Sequence, residues 1–191
     1  MILTPNNEYA ALLDACVLVP MPLCDTLLRL AIEPSFYRPL WSELILQEVG
    51  SAMARMAYTT QQSDRRLRAM REHFPEACVE SPASLASALT CIPDVNDRHV
   101  LAAAICGHAN TIVTFNIKHF PEDCLEPYGI LRQHPDDFLV HQFHLCPALM
   151  AEKIDSQAIA IHQTRQDVIS RLRDLVQAPQ FAALLEERFN R

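Results

Sequence analysis

Glycine is scarce. The 191 residues contain three, Gly50, Gly107 and Gly129. Neither a G-x-G-x-x-G fingerprint nor a phosphate-binding G-x-x-x-x-G-K-[ST] loop can be written with them, which argues against nucleotide binding through a glycine-rich cradle. Long apolar runs are missing too. No stretch approaches the ~20 residues that a membrane span needs. The first residues lack a basic region followed by an apolar core and a small-residue cleavage site, so no signal peptide is expected. Seven cysteines, an odd number at irregular spacing and without C-x-x-C, do not form a disulfide framework; a reducing cytoplasm is the expected setting. Basic residues are outnumbered 16 to 23, for a net charge of −7. Affinity for phosphate comes mainly from Lys and Arg, so indiscriminate nucleic-acid binding is disfavoured. A nuclease that neutralises its substrate locally, with metal ions and a basic patch, is still compatible with that balance.

What is present is ordinary for a soluble globular chain: half the residues are hydrophobic and a fifth are charged. Alternating strand and helix patterns give way to helices alone, which predicts a three-layer α/β domain over residues 1–135 and a helical extension over 136–191. Residues 10–19, ALLDACVLVP, suit a strand buried on both faces. A carboxylate inside such a run, Asp14, is costly to bury unless paired, hydrogen-bonded or metal-bound. It either caps the next element or points into the crevice beyond the strand's carboxyl end, where open α/β sheets hold ligands. Ser42 is a plausible N-cap for a helix with Leu44, Ile45, Val49, Ala52, Met53 and Met56 on one stripe. Glu48 falls inside that stripe, so it either meets a cation in the core or faces a site.

A helix over 61–73 carries Arg65, Arg66, Arg68 and Arg71. Such a run is either a solvated face or a patch that steers phosphate. In PDVNDRHVLAAAICGHA (93–109), Asp94 stands where an N-cap belongs and Asp97 in or near the first turn of a helix carrying Val100, Leu101, Ala104 and Ile105. Capping and the helix dipole account for both acids; a shared site is the alternative. Thr111–Thr114 is a strand candidate, Phe115–Pro121 a loop at its carboxyl end, and Tyr128–Leu131 a last short strand. After Pro135 the helical stretches are split by Pro147, Thr164 and Pro179. Asp14, Glu48, Asp94 and Asp97 would all lie at or beside the carboxyl edge of a parallel sheet. Carboxylates converging there repel each other unless a cation joins them. Mg²⁺ or Mn²⁺ suits an all-oxygen site, and the matching chemistry is phosphodiester hydrolysis.

LLDACVLV, SELILQEV, PDVNDRHVLAAAI and IVTFNIKHFP, in this order, resemble the PIN domain over about the first 130 residues, and bacterial VapC-like toxins within it. The resemblance implies an α/β/α fold with a central parallel sheet, and a metal-dependent ribonuclease. By the same resemblance Asp14, Glu48 and Asp97 are the metal-binding acids, Asp94 an additional acid and Asn116 a polar residue of the site, with Thr114 holding the loop. RNA is the implied substrate; a small antitoxin is the implied partner, and a homodimer is common among such proteins. This chain departs from the pattern at His119, where many relatives with Asn at the position of Asn116 carry Asp. An imidazole can bind a metal or receive a proton but adds no negative charge. His119, Thr114, Arg65 and Arg68 are therefore candidates for contact with substrate. A catalytically weakened PIN-like protein serving as an interaction module is the second expectation. Zinc ligation by His141, His144 and Cys146, or by Cys106 and His108, fits no common spacing. A phosphatase would want Asp-x-Asp after the first strand, which Asp14-Ala15-Cys16 does not supply.

Overall fold

The computed structural model describes residues 8–190; residues 1–7, on which the signal-peptide expectation partly rests, lie outside it. The described residues fall into two compact units, one of residues 8–19 and 38–133 and one of residues 20–37 and 134–190.

The first unit holds a four-stranded parallel sheet flanked by helices. Its strands are β1 (Ala10–Leu13), β2 (Arg38–Leu40), β3 (Thr111–Val113) and β4 (Leu131–Gln133), in the order β2-β1-β3-β4. β1 and β3 are central, paired Leu12 to Ile112 and Leu13 to Val113. Every residue of both strands is buried, as expected where both faces are covered. Chain direction across the sheet reverses between these two strands, since β1 leads to β2 on one side and β3 leads to β4 on the other. A crevice at such a switch point, beyond the carboxyl ends of the strands, is where α/β sheets place their ligands. β1 runs out at Asp14 and β3 at Thr114. Asp14 N–H donates to Val113 O at 3.1 Å, which locks the two strand ends together.

Short α1 (Ala15–Leu18) follows β1 directly, while α3 (Glu43–Arg55), α4 (Thr60–His73), α5 (Ala83–Ala88), α6 (Arg98–Cys106) and α7 (Glu122–Leu125) complete this unit; α2 (Met21–Ala31) belongs to the other. α6 packs on β1 and β3, α1 on α3, and α3 on α4. Ser42 caps α3 as expected, its Oγ accepting from Ile45 N–H at 3.3 Å. The expected stripe of α3 is corrected. Its buried residues are Ile45, Leu46, Val49 and Met53, whereas Leu44 and Met56 are 48% and 58% exposed. A 3.6-residue period allows two neighbouring stripes, and Leu46 rather than Leu44 faces inward, which leaves Glu48 on the flank of the buried face. The last strand is also shifted. Tyr128 lies in a 3₁₀ turn and Gly129 is left-handed at φ 66°, so extension begins only at Leu131. Gly107 ends α6 against β2, where a Cβ would stand 2.8 Å from Leu40 Cδ1.

The second unit is helical: α2, then α8 (Pro135–Leu145), α9 (Pro147–Ala160), α10 (Arg165–Asp174) and α11 (Pro179–Phe189). Pro135, Pro147 and Pro179 each stand at the first helical position, where the missing N–H is no loss. Thr164 forms a capping box with Asp167 at the start of α10. The unit's core gathers Tyr37, Phe138, Phe181, Ile154 and Leu172, all fully buried, with Tyr37 edge-on to Phe138 at 5.0 Å. No described helix is long and apolar enough to cross a membrane.

Candidate metal centre

Asp14 follows the last residue of β1 and precedes α1. Although it stands at the N-cap, its side chain caps nothing. The residue is 6% exposed. Thr114 Oγ1 donates to Asp14 Oδ2 at 2.6 Å, and the Cys16 thiol donates to the same oxygen at 3.2 Å. Burial and then the Asp14 charge push the Cys16 thiol up to about 12, so it keeps its proton and serves as a donor. Thr114 Oγ1 also accepts from Asn116 N–H at 3.0 Å, so one hydroxyl ties the end of β1 to the loop after β3. None of the ion pairs among the described residues involves Asp14. A buried carboxylate held by two neutral donors, both on one oxygen, is left without a counter-charge.

Asp94 and Asp97 separate in role. Asp94 does cap, accepting from Asn96 N–H at 2.9 Å, but the turn it caps is the 3₁₀ segment Val95–Asp97. Asp97 sits at the N-cap of α6 and makes no capping bond. Its Oδ2 meets His119 Nδ1 at 2.7 Å instead. Helix capping therefore does not explain Asp97. Burial raises its pKa above the ordinary carboxylate value; contact with His119 opposes this, and the charges of Asp94 and Asp14 push it further up. One ligand atom each from Asp94, Asp97 and His119 lies within 4.8 Å of the others. Among the described residues the histidines and cysteines at 106, 108, 141, 144 and 146 form no such grouping.

The loop that brings His119 here is anchored from below. Phe120 is fully buried, Arg132 donates to its carbonyl, and His119 N–H donates to Asn116 O at 2.9 Å. Asn116 itself is exposed. Glu48 faces outward from α3 with its side chain 44% exposed, and its Oε1 meets His99 Nε2 at 2.8 Å. It is not in the Asp94, Asp97 and His119 grouping; its partner His99 lies two residues after Asp97 in the chain. Reading the sequence missed both His99 and Cys16. A second polar residue, after Arg98, in the first turn of an otherwise apolar helix was the available signal for the first; a thiol two residues from a buried acid was the signal for the second.

The arginines of α4 divide. Arg66 donates to the carbonyls of Leu18 and Val19, and Arg71 pairs with Glu43. Arg65 and Arg68 are exposed and enter none of the ion pairs among the described residues. The donors brought together at the sheet edge are Asp94, Asp97 and His119, and Asp14 and Glu48 are not in that grouping. Two clustered carboxylates, an Asp97 raised by burial and an Asp14 without a counter-charge fit a hard divalent cation.

Residues 10–118, more than half of the chain, match the sequence model of the PIN domain. A protein of Mycobacterium tuberculosis (strain ATCC 25618 / H37Rv) named "Putative ribonuclease VapC50" is 61% identical over 49 residues, which cover 26% of this chain and 29% of that relative. The chain thus matches under a third of that relative's length. No solved structure matches.

Proposed function

The chain belongs to the PIN domain family, and from that premise we propose that it is an Mg²⁺- or Mn²⁺-dependent endoribonuclease that hydrolyses RNA phosphodiester bonds. The observation that carries this reading is the uncompensated Asp14 carboxylate at the β1/β3 switch point, whose charge reaches an Asp97 already raised by burial. Asp14, Asp97 and Glu48 would hold the cation, with Asp94 adding negative charge at the rim. When bound, the cation supplies Lewis-acid polarisation of the phosphodiester and acidifies water.

The chain's own residues have separable tasks. Thr114 and Cys16 fix the Asp14 carboxylate by donating to Oδ2, and Oδ1 would be the oxygen for the cation. Asn116, exposed on the loop after β3, offers an amide to the RNA backbone. His119, 46% exposed and bonded to Asp97 through Nδ1, presents a ring that can hand a proton to or take one from substrate. Arg65 and Arg68 attract phosphate that the net charge of −7 would otherwise repel. A small antitoxin encoded beside the protein is the proposed partner, on the strength of the VapC-like motifs. The second reading, a weakened PIN-like interaction module, draws on one observation: an imidazole bonded to Asp97 stands where relatives add a carboxylate.

Mn²⁺ titration and RNA cleavage separate the two. The nuclease should cut RNA with Mg²⁺ or Mn²⁺ and stop on addition of EDTA. Asp97→Asn should reduce cleavage by about 100-fold or more, the scale of losing one electrostatic contact to a transition state. Purified protein that neither binds Mn²⁺ nor cleaves any RNA would leave the module reading standing.

A further inference from the structure

We propose that His99 is a positioning residue: its imidazole holds the Glu48 carboxylate in place for the divalent cation. The inference rests on the nuclease reading above. Glu48 stands on α3 and His99 on α6, and the bond between Oε1 and Nε2 is 2.8 Å. The two partners are unequally placed. The His99 side chain is 13% exposed and the Glu48 side chain 44%. A half-exposed glutamate has free rotation to spend in solvent; a packed ring that grips one of its oxygens removes much of that freedom before any ligand arrives.

The chemistry of the bond sets its direction. An ionised carboxylate can only accept, so Nε2 carries the proton. Nδ1 is then a bare acceptor, and it is buried with no hydrogen-bond partner among the described residues. The bond takes up Oε1, and Oε2 is the oxygen that would remain for a cation. His99 lies two residues after Asp97, so the same bond ties α3 to the first turn of α6, next to the turn that carries Asp97. Hydrogen bonds of this kind behind a metal ligand are worth about 10–100-fold in metal affinity.

The test is Mn²⁺ binding by calorimetry, alongside RNA cleavage, on the full chain. His99→Ala and His99→Leu should each weaken Mn²⁺ about 10–100-fold with an unchanged circular dichroism spectrum. Cleavage at saturating Mn²⁺ should largely recover. His99→Gln, which retains an N–H donor, should restore most of the affinity. In a Glu48→Ala background, His99→Ala should add nothing. Wild-type Mn²⁺ affinity in His99→Ala or His99→Leu overturns the proposal, and so does an equal loss with and without Glu48. Asp97→Asn separates the two levels of inference. If it abolishes Mn²⁺ binding while the His99 variants do not weaken it, only the positioning role falls. If the unsubstituted protein binds no Mn²⁺, the nuclease reading falls with it.

Discussion

Two buried aspartates, one in each unit, show how differently a fold can treat the same side chain. Asp136 in the helical unit is 3% exposed and Asp14 in the sheet unit is 6% exposed. Asp136 reaches the start of α11, where its two oxygens accept from the N–H groups of Gln180 at 3.1 Å and Phe181 at 2.9 Å. Pro179 has no N–H and Ala178 has no capping oxygen, so Asp136 does from a distance what an N-cap side chain does locally. Its charge faces the positive end of a helix, and each oxygen has a donor. Asp14 stands beside the four-residue helix α1, takes a hydroxyl and a thiol on one carboxylate oxygen, and among the described residues its carboxylate has no backbone donor. The first carboxylate is closed by the fold. The second is left open, and an open buried acid marks the place where an external cation completes the structure.

The sharpest way to break that contrast is to neutralise both acids and exchange readouts. Asp14→Asn should cost RNA cleavage about 100-fold or more, with Mn²⁺ binding lost, while thermal stability holds because the amide oxygen can still accept from Thr114 and Cys16. Asp136→Ala should leave Mn²⁺ affinity unchanged. It should cost about 1–3 kcal/mol in urea denaturation, since two backbone donors at the end of α11 lose their acceptor. A destabilised Asp14→Asn with intact cleavage would erase the distinction.

Asp97 sharpens the comparison through pH. Its pKa in the folded chain lies above that of the unfolded chain, chiefly because it is buried. The native state therefore binds more proton than the unfolded state in the window between the two values. Stability from this group falls as pH rises through that window, and metal affinity rises over the same range as the carboxylate ionises. Mn²⁺ affinity measured against pH should show a midpoint above the ordinary carboxylate value, and Asp97→Asn should flatten the metal-free chain's stability against pH over the same window. A midpoint at the ordinary value would mean that contact with His119 fully offsets the burial of Asp97 and the charges of Asp94 and Asp14 beside it.

The parts of this architecture that obey local rules were readable in the sequence. An apolar run with one acid gave β1 and Asp14, Ser42 gave the start of α3, and the proline and threonine breaks gave the starts of α9, α10 and α11. Readability failed where two periodic solutions compete, as for Leu44 against Leu46 on α3. It failed again where a contact joins distant segments. Nothing around residue 48 announces His99, and nothing near Pro179 announces that its helix is capped from Asp136, since both partners are set by packing rather than by spacing. The role of Asp97 lay between these cases. Its position suited a cap, and only the three-dimensional contact with His119 shows that the cap is unused.

The arginines of α4 extend the same contrast to cations, with the smallest expected effect. Arg66 is spent inside the fold. Its guanidinium donates to the carbonyls of Leu18 and Val19, which α1 leaves without intrahelical partners at its carboxyl end. Arg66→Ala should therefore lower stability, with the salt dependence of RNA binding little changed. Arg65 and Arg68 are exposed and outside the ion pairs of the described residues. Replacing both with Gln should leave urea denaturation untouched, raise KM for RNA a few-fold, and flatten the plot of log affinity against log salt. The slope should fall by about 0.7 for each arginine that reaches a phosphate of single-stranded RNA. An unchanged slope would assign Arg65 and Arg68 to plain solvated surface. The charge that offsets −7 near the substrate would then have to come from the cation held by the acids.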